Sequence, residues 1–265
     1  MRQAIALCWA LAVLLWLAGS AVLRCGLPSA TAGPPRLRRG ILFMIDGAGG
    51  FEASSRTIRQ TAAEDKLPLE VRSVRWTHGY WRVISDQTHA SHMQRAGRKL
   101  AEQLLLCREE APEEPIFLMG HSAGCGVVLC AAENLPPNTL ERIVLLAPAV
   151  SSKHDLRAAL RSSCLGIDAF TSSRDWGCLG LGILVAGTTD RSRLNGAAGK
   201  NGFQPIRSCS ADEVLYTKLR QYPWDPSLSW TGHKGGHYGS YQPGFLRAFV
   251  FPLFISSLAL HESGR

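Results

Sequence analysis

The sequence predicts an α/β protein: a mostly parallel central sheet with helices on both faces, preceded by an N-terminal apolar helix. Three observations predict it. Short uninterrupted apolar runs, not alternating ones, mark strands buried on both faces. Segments with helical apolar spacing separate those runs, and β alternating with α over short links belongs to a parallel sheet. One run, Ile116-Phe117-Leu118-Met119, leads through Gly120-His121-Ser122-Ala123-Gly124 into a stretch of small residues, Cys125 to Cys130. That is strand, sharp turn and helix in immediate succession.

The chain begins with an uncharged apolar run from Ala4 to Leu23, bracketed by Arg2 and Arg24. Its length is about that of a bilayer-crossing helix, so residues 1–24 are expected to anchor the chain in a membrane as a single pass. A cleaved signal peptide, with secretion as its outcome, is the competing reading. Its apolar core is usually shorter, about 7–15 residues, although Ala30-Thr31-Ala32 would suit cleavage. Residues 25–39 are rich in Pro, Gly, Ala and Arg, a linker composition. The folded domain is expected over 40–265.

Within it, Ile41–Ile45 reads as a strand buried on both faces, and Val71–Trp76 as a second strand. Ser91–Cys107 carries Met93, Ala96, Leu100 and Leu104 at helical spacing and is expected to be an amphipathic helix. After the Ile116–Met119 strand and a Gly124–Glu133 helix, Arg142–Ala147 is another buried strand. Asp155–Arg161 is helical, Ile167–Ser172 and Ile183–Ala186 are strand-like, and Ala211–Arg220 and Gly244–Leu260 are helical.

The 265 residues are enough for one large domain with a filled core. The net charge of +8 is dispersed, with no basic run interleaved with aromatics, so a nucleic-acid partner is not expected. The eight cysteines form no C-x-x-C pair and no zinc-type spacing, and Cys8, Cys125 and Cys130 read as small buried hydrophobes.

Gly120-His121-Ser122-Ala123-Gly124 fits the G-x-S-x-G pattern, in which glycine flanks let strand and helix pass close enough to raise a serine hydroxyl on a strained turn. Together with the glycine loop after the first strand and a late histidine, these residues resemble the α/β-hydrolase superfamily from about Gly40 to Leu260. The resemblance implies a catalytic triad in the order serine, acid, histidine. Ser122 is then the nucleophile. His237, in Gly235-Gly236-His237-Tyr238-Gly239, is the expected base, preferred over His233. Asp175 is the expected acid and Asp190 its rival, since each follows a strand-like run.

The loop Asp46-Gly47-Ala48-Gly49-Gly50 looks like the family's His-Gly-x-Gly-Gly oxyanion loop, with Asp46 where a histidine is common. Backbone N–H groups of Ala48 and Ala123 are the expected oxyanion donors. No G-K-[ST] follows the loop, so phosphate binding is not indicated. The implied function is a serine hydrolase acting on a small-molecule acyl substrate, a carboxylic ester first, with no cofactor and no metal. A non-catalytic binding module of the same fold, or an acyltransferase using the same triad, is the alternative. Tyr80, Trp81 and Trp176 would suit a lipid-like acyl chain, and core packing accounts for them equally well.

Overall fold

The structure, a computed structural model, describes residues 40–77, 90–175 and 196–262. The anchor (1–24), the linker (25–39), the Ile183–Ala186 strand, Tyr80, Trp81, Trp176 and Asp190 lie outside the described residues. Six strands form one parallel sheet: β1 (Ile41–Ile45), β2 (Glu70–Val74), β3 (Ile116–His121), β4 (Arg142–Leu146), β5 (Ile167–Thr171) and β6 (Leu219–Pro223). Their order is β2-β1-β3-β4-β5-β6, and every neighbouring pair is parallel.

The continuous apolar runs have a direct physical cause. Alternate residues of one strand feed two separate cores. Ile41, Phe43 and Ile45 of β1, with Ile116 and Leu118 of β3, pack under helices α2 (Ala90–Glu110) and α3 (Gly124–Glu133). Leu42, Met44, Phe117 and Met119 point the other way, against α1 (Ala53–Glu64) and the C-terminal helix. With both pleat faces covered, no position over Ile41–Ile45 or 116–119 favours a polar side chain. Helix α4 (Arg157–Ser162) and helix α5 (Ser210–Tyr216) add Leu160 and Tyr216 to the first core.

Four expectations change. The second strand is Glu70–Val74, not Val71–Trp76. The helix expected over Ala211–Arg220 stops at Tyr216, and Leu219–Pro223 becomes the edge strand β6. Its polar residues serve a buried acid: Arg220 Nε and the Tyr222 hydroxyl donate to Asp168 Oδ1 at 2.7 and 2.9 Å, and Arg142 Nη1 donates to Oδ2 at 2.6 Å. Helix α1 was not anticipated, because its Ser/Thr-rich sequence has few apolar residues to show a period.

The segment expected as one helix over Gly244–Leu260 starts at Pro243, passes through a π-helical turn at Leu246–Val250, and continues as α6 (Phe251–Glu262). Among the described residues, Pro243–Leu260 is the one run long and apolar enough to cross a membrane. Packing within the protein accounts for that composition: Leu246, Val250, Phe254 and Leu258 form part of the second core, and the Phe254 and Phe117 ring centroids are 5.0 Å apart.

Chain order places the site. From β1 the chain moves outward to β2, then returns to lay β3 on the other side of β1. Connections leaving the carboxyl ends of β1 and β3 therefore diverge, opening a crevice at this switch point. The Asp46–Gly50 loop leaves β1 there, and the Ser122 turn leaves β3.

Candidate active site

The turn is built by steric exclusion. Ser122 has φ 53°, in the left-handed region that a side-chain-bearing residue enters only with strain. Its N–H donates to the Leu146 carbonyl at 2.9 Å, and its own carbonyl accepts from Cys125 and Ala149 N–H at 3.1 Å each. A Cβ at Gly124 would lie 2.4 Å from the Asp46 carbonyl oxygen and 2.6 Å from that of Ile45, so α3 starts directly against the end of β1. At Gly120 a Cβ would meet Val128 Cγ2 at 2.8 Å. Both flanking glycines are thus required by contact.

His237 lies between β6 and the C-terminal helix and is buried. Its Nε2 accepts the Ser122 hydroxyl at 2.8 Å, and its Nδ1–H donates to Asp175 Oδ2 at 2.5 Å. Asp175, 2 % exposed, follows β5. The two loops are tied together, since Ser172 Oγ donates to the Gly235 carbonyl at 2.6 Å. Ser122, His237 and Asp175 therefore form one unbroken line of hydrogen bonds.

His233 plays a different part. Its Nδ1 accepts from the Gly235 N–H at 3.1 Å, its carbonyl accepts the Trp224 indole at 2.8 Å, and its ring meets Phe245 edge-on at 4.8 Å. Burial pushes its pKa down to about 4, so the ring is neutral. It is the packed interior of the loop that carries His237.

Ala123 follows Ser122 in the elbow, and Ala48 follows Gly47 in the loop after β1. Among the described residues neither N–H has a backbone acceptor. A Cβ at Gly47 would stand 3.1 Å from Ser122 Cβ, so the loop lies directly against the serine.

For two further residues the sequence assigned no role to the side chain. His121 Nε2–H donates to the His237 carbonyl at 3.1 Å, and its ring packs edge-on to Tyr241. Burial first, and then the neighbouring His237, hold its pKa down at about 3. Its place inside the G-x-S-x-G pattern was the available signal, but the partner across the fold was not visible. The second is Asp46, whose carboxylate reaches the start of α1; only its departure from the family's histidine marked it.

Residues 77–170, which include β3, the serine turn and β4, match the family described as Serine aminopeptidase, S33. With a parallel sheet whose switch point underlies Ser122, this match makes the chain similar to the α/β-hydrolases. Solved structures with a similar chain path include the LpqC poly(3-hydroxybutyrate) depolymerase from Bordetella parapertussis, at 15% identity and TM-score 0.49, covering 85% of this chain and 86% of that one. A cutinase-like protein from Cryptococcus sp. is also 15% identical, with TM-score 0.44 and coverage of 83% and 95%. The catalytic core of acetyl xylan esterase from Trichoderma reesei is 12% identical, with TM-score 0.42 and coverage of 87% and 100%. A search of curated proteins finds no match.

Proposed function

We propose that the chain is a serine hydrolase that cleaves carboxylic esters through an acyl-enzyme on Ser122. The observation that carries this reading is the continuous hydrogen-bonded line from the Ser122 hydroxyl through His237 to Asp175. A serine hydroxyl attacks a carbonyl only if its proton is removed as the bond forms. His237 Nε2 takes that proton, and Asp175 holds the ring in the matching tautomer and stabilises the imidazolium. The substrate carbonyl oxygen gains charge between the Ala48 and Ala123 N–H groups.

Collapse of the tetrahedral species expels the alcohol, which leaves with the proton returned by His237. Water then enters, loses a proton to His237 and attacks the acyl-serine. The second collapse releases the carboxylic acid and restores the Ser122 hydroxyl with the proton from His237.

Fluorophosphonate labelling tests the reading, because the probe reacts with a serine only where base and oxyanion donors cooperate. The folded wild-type chain is expected to label, and Ser122→Ala is expected not to. A folded wild-type chain that stays unlabelled would reduce the fold to a binding module.

A further inference from the structure

We propose that Asp46 is the positioning residue of the oxyanion loop, a clamp that fixes where the Ala48 N–H points. The inference rests on the ester-hydrolase reading above. The side chain of Asp46 is 9 % exposed, and its Oδ1 accepts three hydrogen bonds: from Ser54 N–H at 3.0 Å, Ser54 Oγ at 2.5 Å and Ser55 N–H at 3.1 Å.

Ser54 and Ser55 are the second and third residues of α1, where backbone donors have no partner within the helix. Such donors are ordinarily satisfied by the side chain immediately before the helix. Here that residue, Glu52, sits in a left-handed conformation at φ 50° and makes no cap bond. The acceptor comes instead from before the loop, so the polarised start of α1 grips its far end.

The backbone of Asp46 is fixed as well. Its carbonyl accepts the Trp76 indole N–H at 2.8 Å, and the start of α3 packs on the same oxygen at Gly124. One residue is thus joined to α1, to the chain beyond β2 and to the serine elbow.

Only Gly47 separates this clamp from Ala48. Beyond Ala48 the loop turns through Gly49 and Gly50, at φ 92° and 66°. It lies close to the serine, since a Cβ added at Gly47 would stand 3.1 Å from Ser122 Cβ. Release of the loop would let the Ala48 N–H drift out of line. Misplacement by about 1 Å costs on the order of 10²-fold in rate, and loss of an oxyanion donor about 10²–10³-fold.

The test uses the full chain, with kcat and KM for p-nitrophenyl acetate and the second-order rate of fluorophosphonate inactivation. Asp46→Ala is expected to lower kcat and the inactivation rate by about 10- to 100-fold with KM within about twofold of wild type. Asp46→Asn, whose Oδ1 still accepts both backbone N–H groups, is expected to restore most of that loss. A merely structural residue would shift the melting temperature without this split between kcat and KM.

A folded Asp46→Ala enzyme that turns over as wild type overturns the proposal, as does an Asp46→Asn enzyme equally impaired. Should Asp46→Ala fail to fold, Ser54→Ala decides: a severalfold loss of kcat at constant KM supports the clamp, and an unchanged kcat overturns it. A wild-type chain inert to both probes overturns the hydrolase reading itself, and the clamp with it. A reactive wild type with an equally reactive Asp46→Ala overturns the clamp alone.

Discussion

Three histidines within the same small volume show how partners, and not residue type, set a side chain's chemistry. His237 has a carboxylate on one nitrogen and a hydroxyl on the other, so it can gain and return a proton. His121 and His233 are desolvated and held neutral, and each spends its ring on backbone groups of the histidine loop. Replacing His237 by alanine should lower kcat/KM for an activated ester by about 10⁴-fold or more, with a melting temperature near that of wild type. His233→Ala should do the reverse, melting earlier because a packed ring and an acceptor are lost, with a far smaller kinetic effect. Steady-state kinetics and thermal melts on the two variants decide it, and exchanged outcomes would assign the base to His233. The preference for His237 was legible because paired glycines and a late position mark a loop able to present a ring. Asp175 was preferred to Asp190 only because short connections are the norm, since each closes a strand-like run and the distance from a carboxylate to the ring is not written in either run.

Elements were readable where both of their faces are buried by the same kind of neighbour. β1, β3, β4 and β5 show as apolar runs because each alternates between two cores. β6 is hidden because it lies at the sheet edge and carries Arg220 and Tyr222 to satisfy the fully buried Asp168 on β5. That demand originates some fifty positions away, beyond any local window. α1 is hidden for a related reason: its cap comes from Asp46, outside the segment, so the usual start signal is missing. The serine elbow is the opposite case, since contact geometry writes its glycines directly into the sequence. Gly124→Ala should therefore be costly, because its Cβ would meet two backbone oxygens, at 2.4 and 2.6 Å, and neither can rotate away. Overpacking of this kind costs about 1–3 kcal/mol. The displaced α3 would also carry the Ala123 N–H off line. Denaturant melts and fluorophosphonate inactivation should both be impaired; a variant as stable and as reactive as wild type would mean that strand and helix are free to separate.

Across the whole molecule, buried neutral histidines tie the working state of the site to solution pH. His121 is depressed to about 3 and His233 to about 4, against 6.5 for a solvated imidazole. Above pH 6.5 the folded and unfolded chains bind the same protons at these sites, and neither ring affects the balance. Below it the unfolded chain takes up protons that the folded chain refuses, so stability falls as pH drops from 6.5 toward the folded values. At pH 5 each ring withdraws roughly 2 kcal/mol, a large share of the stability of an ordinary domain. Both rings brace the loop bearing His237, so acid should loosen the catalytic end of the fold before the strands beneath it. Denaturant melts at pH 7.5 and pH 5 should differ by about 4 kcal/mol from these two groups, and the difference should shrink by about half in His121→Gln. Activity should be lost in acid at a pH where the far-ultraviolet circular dichroism of the sheet and helices is still intact. Equal stability at the two pH values, or loss of the two signals together, would show that these rings protonate freely within the folded chain.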